Sequence, residues 1–194
     1  MKTNVKERII EVTIEFLKKE KKVSDVSMRM IAKNADIAVS VINYHFQTKQ
    51  NLINIAINRY ISQVIHGSTT IDEFDNLSTE ERIRVSIKNA AEFIVNNPGI
   101  SRVSVLNDLE NPDPKDNSSQ LFGTIYHQLE TYYKEELSET QLKILVQQQI
   151  ATVQSIFLRS TFFKEQSGLD FYCKNDREKI LDILIDQILR KEFK

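Results

Sequence analysis

Side chains that can bind nucleic acid are concentrated between residues 27 and 49 of this sequence. Arg29 carries a planar guanidinium, which suits either a base edge or a phosphate, although a salt bridge within the same domain is an equal alternative. Asn43 can donate and accept at a base edge, with adenine as its best geometric match. Lys49 falls in the first turn of a predicted helix, where free backbone N–H groups and an ammonium together favour a phosphate. These residue types indicate a surface for DNA.

The charge distribution agrees with a polyanionic partner at the N-terminus. Residues 1–60 carry a net charge of +5 and residues 61–194 a net charge of −6, within an overall charge of −1. A basic segment joined to an acidic one is typical of proteins whose first domain binds nucleic acid, whereas chance clustering of solvated lysines is the alternative.

The sequence shows no residue pattern typical of metal binding, disulfide formation or catalysis. His45, His66 and His127 are far apart, and Cys173 is the single cysteine, so we expect neither a metal site nor a disulfide. The sequence has no Gly-rich phosphate loop and no nucleophile motif, so we expect neither enzymatic activity nor a cofactor. No apolar stretch is long enough for a signal peptide or a membrane span, which predicts a cytoplasmic protein with no membrane partner.

Three predicted helices would position the N-terminal polar residues. Apolar residues recur at helical spacing over 5–19, and Ser27 is a good N-cap for a short helix over 28–34. A four-residue break follows, in which Asp36 is one of the few non-glycine types that tolerate a left-handed conformation. A third helix over 39–45 completes a helix-turn-helix.

The rest of the chain also predicts helices. Thr48 can cap a fourth helix, Ser78 and Glu81 form a capping-box pair for a fifth that runs to Asn96, and a shorter one ends near Leu109. Helices are predicted over 118–136, over 138–164 and over 176–190, with a break at 67–70. The predicted fold is therefore all-α, with about nine helices: an N-terminal helix-turn-helix domain over 1–47 and a larger helical domain over 48–194.

The N-terminal segment resembles the TetR family. The resemblance lies in Ser27 to Ala38, which is similar to the family's Thr/Ser-x-x-x-Ile-Ala helix and its turn, and in Asn43-Tyr44-His45-Phe46 followed by Lys49 and Leu52. It covers about residues 5–57. Asp36 and Ser40 stand where the family commonly has glycine, and Asn43 stands where it often has tyrosine, so operator preference cannot be transferred from relatives.

The resemblance implies a dimeric repressor that binds a palindromic DNA operator and is released by a small hydrophobic effector bound in the C-terminal domain. An activator of the same fold, or a helical interaction module that has lost specific DNA binding, are the alternatives. Half-sites would lie about 34–36 Å apart or at a multiple of that spacing. The predicted DNA-binding residues are Ser27, Arg29, Val39, Ser40, Val41, Asn43, Tyr44, His45 and Lys49.

Two further sets of residues are predicted in the C-terminal domain. Mixed aromatic and polar side chains suit a hydrophobic effector with one or two hydrogen bonds; they are Phe93, Val103, Leu106, Phe122, Tyr126, His127, Phe157 and Phe162. The last helix has a wider apolar band than one packed face needs, which favours a second copy as its partner. The predicted dimer interface comprises Leu145, Gln149, Val153, Leu181, Leu184, Ile185 and Ile188.

Overall fold

The computed structural model describes residues 4–19, 23–67 and 76–189, and every regular element in these ranges is helical. A short 3-10 helix, Val23–Asp25, lies between the first two α-helices. In chain order the ten α-helices of the described ranges are α1 Val5–Lys19, α2 Met28–Asn34, α3 Val39–Phe46, α4 Lys49–Gly67, α5 Thr79–Asn96, α6 Pro98–Glu110, α7 Asn117–Tyr133, α8 Glu139–Leu158, α9 Ser160–Ser167 and α10 Lys174–Leu189. The predicted all-α fold is confirmed.

Capping residues set several of these boundaries as the sequence predicts. The Ser27 hydroxyl accepts from the Met30 amide at 3.2 Å, and the Thr48 hydroxyl accepts from the Asn51 amide at 3.1 Å. Ser138 and Gln141 form a complete capping box at the start of α8. Such side chains satisfy backbone donors that have no partner within the first turn of a helix.

Three predicted boundaries differ from the structure. The helix predicted over 118–136 ends at Tyr133, because Lys134 turns into the left-handed region at φ 43°. The helix predicted over 138–164 is divided at Arg159 into α8 and α9, which raises the number of helices from nine to ten within the described residues. The break predicted at 67–70 lies outside the described residues apart from Gly67, which ends α4.

The chain divides into two compact units. We call the one that contains α1–α4 and α6 the head unit, and the one that contains α5 and α7–α10 the body unit. The predicted domain boundary at residue 47 falls within the head unit, because α4 packs against α1, α3 and α6. The division of functions between the two predicted domains stays a prediction.

The core of the head unit fixes the helix-turn-helix. Ile9 of α1, Ile31 of α2, and Ile42 and Phe46 of α3 are fully buried, as is Leu52 of α4. Each helix therefore contributes its apolar face to one cluster, which leaves the opposite face of α3 in solvent. On α6, Asn107 accepts a hydrogen bond from Asn54 at 2.6 Å and joins that helix to α4.

The body unit has a separate apolar core. Its fully buried side chains include Ile83 of α5, Leu129 and Tyr133 of α7, Val146 of α8, and Leu181 and Ile185 of α10. The Tyr133 hydroxyl donates to the Ile188 carbonyl within this core. Desolvation by burial raises the pKa of Tyr133, which therefore stays a neutral donor.

Acidic and basic side chains join α5 to α10 along their edges. Arg84 contacts Glu80 at 2.9 Å and Asp186 at 2.6 Å, and Lys88 contacts Glu178 and Asp182 at 2.7 Å each. The hydrogen bond to Asp186 is the main cause that raises the pKa of Arg84. Burial lowers the pKa of Lys88, but the hydrogen bonds to Asp182 and Glu178 and the attraction of their charges together outweigh it, so the net shift is upward. We call these residues the α5–α10 ion ladder.

Within the described ranges, no helix combines the length and the apolar character that a membrane span requires.

Candidate nucleic-acid interface

The turn between α2 and α3 has the left-handed residue that the sequence predicts. Asp36 lies at φ 48°. Its amide bonds the Lys33 carbonyl at 3.4 Å, and the Ile37 amide bonds the Ala32 carbonyl at 3.1 Å. This pair of bonds is the Schellman arrangement, which usually places glycine at the left-handed position. Aspartate fills that position here, so the missing glycine does not prevent the turn.

Arg8 of α1 supports the same turn and was not predicted to do so. Its guanidinium donates to the Ala35 carbonyl, directly before Asp36. Ala35 is itself fully buried. Arg8 lies twenty-seven positions before Ala35, and nothing in the sequence distinguishes it from the other charged residues of α1, such as Lys6 and Glu11.

Helix α3 separates a buried face from an exposed one. Ile42 and Phe46 are fully buried, whereas Ser40, Asn43 and Tyr44 are exposed, with Tyr44 at 83%. Val39 and Val41 are half-buried at the margins of the exposed face. A largely exposed tyrosine beside an amide and a hydroxyl gives apolar area and hydrogen-bonding groups in one strip, a composition that suits contact with base edges in a major groove.

An unusual link follows α3. Gln47 lies at φ 64° and ψ −51°, and the Thr48 amide bonds the Phe46 carbonyl at 2.7 Å. These values define a γ-turn of the rare type, which is strained for a residue with a Cβ. The turn places Thr48 at the start of α4, where it caps the helix.

Half-buried His45 meets the Tyr44 ring edge-on at 5.2 Å, so its surroundings allow either phosphate contact or packing.

Two predicted DNA-binding residues lie on or beside α2. Ser27 caps the helix, so its hydroxyl already has a partner. Arg29 is exposed and has no hydrogen bond or ion pair to any residue in the described ranges. The salt bridge considered as its alternative role is therefore not formed within these ranges, and the guanidinium is available to an external anion.

Lys49 is less free than Arg29. Its ammonium donates to the Ser24 carbonyl at 3.2 Å, and the side chain is half-buried. A carbonyl does not neutralise the charge, so a phosphate could still bind, but the bond ties the side chain toward the segment before α2. The structure thus brings all the predicted DNA-binding residues into the head unit, with Arg29, Ser40, Asn43 and Tyr44 exposed.

The predicted effector-pocket residues are divided between the two units. Val103 and Leu106 lie on α6 in the head unit, whereas the other six lie in the body unit. Phe122 stacks on Tyr126 at 6.3 Å between ring centroids, and the Tyr126 ring meets His127. Phe157 is buried in the core, Phe93 is half-buried, and Phe162 is 45% exposed beneath the Arg159 guanidinium. Their role as a pocket stays a prediction.

Most of the predicted dimer-interface residues face the interior of their own chain. Leu181, Ile185, Ile188 and Gln149 are buried in the body unit, and Leu145, Val153 and Leu184 are partly buried against the same core. The four buried side chains are not available to a second copy, whereas Leu145, Val153 and Leu184 stay a prediction. Periodicity reveals how wide an apolar band is, but not which part of the band packs internally.

The helix-turn-helix, the exposed face of α3 and the cations Arg29 and Lys49 define a DNA-binding protein of the helix-turn-helix class. Residues 10–55 match the model for bacterial regulatory proteins of the tetR family. Over this N-terminal segment the chain is similar to the tetR family, and it is a DNA-binding transcriptional regulator.

Similar proteins span nearly the whole chain. The nucleoid occlusion factor SlmA of Vibrio campbellii is 25% identical over 88% of this chain and 93% of its own length. BioQ, solved with its double-stranded DNA operator, has a TM-score of 0.68 at 14% identity, covering 95% of this chain and 97% of BioQ. The regulator FadR of Bacillus subtilis, solved with stearoyl-CoA, has a TM-score of 0.59 at 13% identity, covering 94% and 97%. The structural likenesses show that the fold extends beyond the matched N-terminal segment.

Proposed function

We propose that this regulator is a cytoplasmic, non-enzymatic repressor that binds a palindromic operator as a homodimer and is released by a small hydrophobic effector. The exposed face of α3 is the observation that carries the proposal. Asn43 and Tyr44 are exposed on it, whereas Ile42 and Phe46 anchor its opposite face at full burial. Such a helix can enter a major groove without loss of its own packing.

Base and phosphate contacts have separate candidates on this surface. Asn43, Ser40 and the two valines of α3 would read base edges and thymine methyl groups. Arg29 and Lys49 would bind phosphates, with Tyr44 and His45 beside them. The operator bound in the BioQ structure supports DNA as the partner of this fold.

Titration by fluorescence anisotropy tests the proposal. Labelled duplex from upstream of the protein's own gene would be titrated at ~0.15 M salt, a condition in which exposed charges act over ~8 Å. An excess of unrelated duplex serves as competitor. We expect tight, competitor-resistant binding with two protomers per site. Binding that the competitor removes would point to an operator elsewhere, and no binding at low salt would favour the interaction-module alternative.

We propose that two copies associate through an exposed surface formed by α8 and α10. From Ile144 to Leu158 the chain has no charged residue, although 27% of the whole sequence is charged. Exposed side chains in this stretch recur at spacings of four and three, namely Ile144, Gln148, Ala151 and Ser155. Ile183 is also 56% exposed, on the α10 helix that packs against α8. A neutral strip with heptad-like spacing suits a second copy across a two-fold axis.

A single substitution tests this surface. Ile144→Glu places a charge in the strip and should convert the dimer to a monomer in light scattering coupled to size exclusion. Asn89→Glu is the control, because Asn89 is exposed on α5 and lies outside the strip. A dimer that survives Ile144→Glu unchanged would place the interface elsewhere.

The second candidate function is that of a DNA-binding protein that acts at many sites on the chromosome and does not control a few inducible genes. The likeness to a nucleoid occlusion factor over 88% of the chain is the observation that favours it. Genome-wide mapping of bound sites separates the two functions. One or a few promoter sites support the repressor, whereas many dispersed sites away from promoters support the alternative.

A further inference from the structure

The N-terminal part of α3 carries no charged side chain. From Ile37 to Tyr44 the sequence has no acidic or basic residue. In helix-turn-helix proteins, the N-terminal residues of the recognition helix are the ones that contact base edges. Base contacts from this part of α3 must therefore be made by neutral side chains, and the chemistry of those side chains limits which bases they can select.

Small apolar side chains form one edge of this part of the helix. Ala38, the N-cap of α3, is exposed, and Val39 and Val41 are half-buried. None of the three side chains can donate or accept a hydrogen bond. In the major groove, an apolar side chain distinguishes bases by contact with the C5 methyl group of thymine. This apolar edge therefore favours thymine over the other bases.

The hydrogen-bonding groups beside this edge belong to Ser40 and Asn43. Both residues are exposed, and neither side chain makes a hydrogen bond within the described ranges. A carboxamide can donate and accept in one plane, which matches the N6 and N7 atoms of adenine. A hydroxyl can bond any base, so Ser40 adds affinity without selecting a sequence. Asn43 is thus the group that selects, and it selects adenine.

The side chains that could read guanine lie outside α3. A guanidinium or an ammonium is the usual reader of guanine O6 and N7, and the segment 26–49 has three such cations, Arg29, Lys33 and Lys49. Arg29 and Lys33 lie on α2, the helix that crosses the DNA backbone in this class of protein. Lys49 lies on α4 and donates to the Ser24 carbonyl. These positions suit phosphates, which leaves guanine without a cationic reader on α3.

Two titratable side chains adjoin α3 without belonging to its N-terminal part. His45 is half-buried in the last turn of the helix. Asp36 lies on the turn before the helix and is the acidic residue of the segment 26–49. A carboxylate can accept from the amino group of cytosine, but the phosphates on both sides of the groove repel its charge. Neither residue therefore adds a reader of guanine or cytosine to the N-terminal part of α3.

We propose that the base pairs contacted by α3 in each operator half-site are A·T pairs, with thymine methyl groups against the apolar edge and one adenine bound by Asn43. This inference rests on the proposed operator binding and names the class of sequence that the operator contains. Guanine and cytosine then occur only at positions that α3 does not contact.

Selection from a random DNA library tests the proposal. Full-length protein would be mixed, at ~0.15 M salt, with duplexes that carry about 30 random base pairs, enough for two half-sites one or two helical turns apart. The bound duplexes would then be sequenced. We expect the wild type to enrich a palindrome whose half-sites each contain adjacent A·T pairs.

A parallel selection with Asn43→Arg identifies the base pair that Asn43 contacts. This variant should change the preference at one position of each half-site from adenine to guanine, by about tenfold or more, because a bidentate contact discriminates by a factor of this order. Asn89→Arg is the matched control: it adds the same charge at an exposed position of α5 and should leave every base preference unchanged.

Uracil substitution tests the methyl contacts with the unaltered protein. Uracil differs from thymine only in lacking the C5 methyl group. Its introduction at a contacted thymine should weaken binding by about fourfold, the factor that corresponds to one buried methyl group. Thymines outside the half-sites are the control and should tolerate the exchange. Because the protein is the same in every measurement, loss of folding cannot produce this result.

Guanine or cytosine in the wild-type selection at the position that Asn43→Arg changes would overturn the proposal, as would the absence of any change in that variant. So would a cytosine preference that disappears in Asp36→Asn, a guanine preference that disappears in His45→Gln, or full affinity after uracil substitution at every thymine of the half-sites. Each of these results would leave operator binding itself intact. Enrichment of no sequence at all would instead overturn the proposed function together with this inference.

Discussion

In the head unit, Arg29 and Lys33 are exposed on α2 without an ion pair to any described residue. In the body unit, Arg84 and Lys88 are each held by two or more carboxylates of α5 and α10. Cations of the same chemistry thus have different tasks in the two units. The unpaired ones can replace counterions on a phosphate backbone, whereas the paired ones stabilise helix packing.

The largest expected effect tests whether the two units are independent. Phe46→Ala empties a fully buried aromatic position at the end of α3 and should cost about 3–5 kcal/mol. We expect DNA binding to disappear while a melting transition of the body unit remains in circular dichroism. Loss of all cooperative melting in this variant would show that the units fold as one.

Base recognition should depend on one exposed amide of the head unit. Asn43→Ala should relax preference at a single base pair by ~1–3 kcal/mol, because its side chain is exposed on α3 and would no longer pair with that base. Competition with operators altered one base pair at a time measures this change. Asn89→Ala, at an exposed position of α5, is the control. Unchanged preference at every position would remove Asn43 from the recognition surface.

Alanine substitution of one arginine in each unit tests directly whether the cations of the two units have different roles. Arg29→Ala should weaken binding to all DNA sequences, reduce the salt slope by about one, and leave the melting temperature unchanged. Arg84→Ala should leave DNA affinity unchanged and lower stability by about 1 kcal/mol, since its ion pairs are partly exposed. Anisotropy measures the DNA affinity of each variant, and thermal melting measures its stability. A loss of stability in Arg29→Ala together with a loss of DNA affinity in Arg84→Ala would contradict the distinction between the units.

The smallest expected effect concerns the γ-turn after α3. Gln47→Gly should raise the stability of the head unit by up to about 1 kcal/mol, because glycine adopts positive φ without strain and loses only part of this gain to chain entropy. The same substitution at Gln63, exposed in the interior of α4, should lower stability by about 1 kcal/mol. Chemical denaturation measures both. Destabilisation by both substitutions would mean that Gln47 is not strained.

Local signals account for the part of the structure that the sequence predicts. Ser27, Thr48, Ser78 and Ser138 each cap a helix through a contact three residues away, and such contacts are visible along the chain. Asp36 likewise has a conformational preference of its own. The helix-turn-helix and its exposed residues follow from signals of this kind.

Contacts between distant segments account for what remained unpredicted. The break at Arg159 has no proline or glycine beside it, and the bond from Arg8 to Ala35 joins two helices. Similarly, Leu181 and Ile185 could face either the core or a second copy until the packing of α5 against α10 is known. The same limit applies to Gln149, since its neighbours Gln147 and Gln148 have the same side chain and differ from it only in burial.

The α5–α10 ion ladder is redundant. Without Asp182, Arg84 still has Glu80 and Asp186, and Lys88 still has Glu178. Without Glu178 or Asp186, each cation likewise keeps at least one carboxylate. Replacement of any one acid therefore leaves both cations neutralised, and the effects of two replacements exceed the sum of the single ones. This edge of the protein tolerates the loss of any single acidic residue, so the individual acids of the ladder are free to vary while the ladder persists.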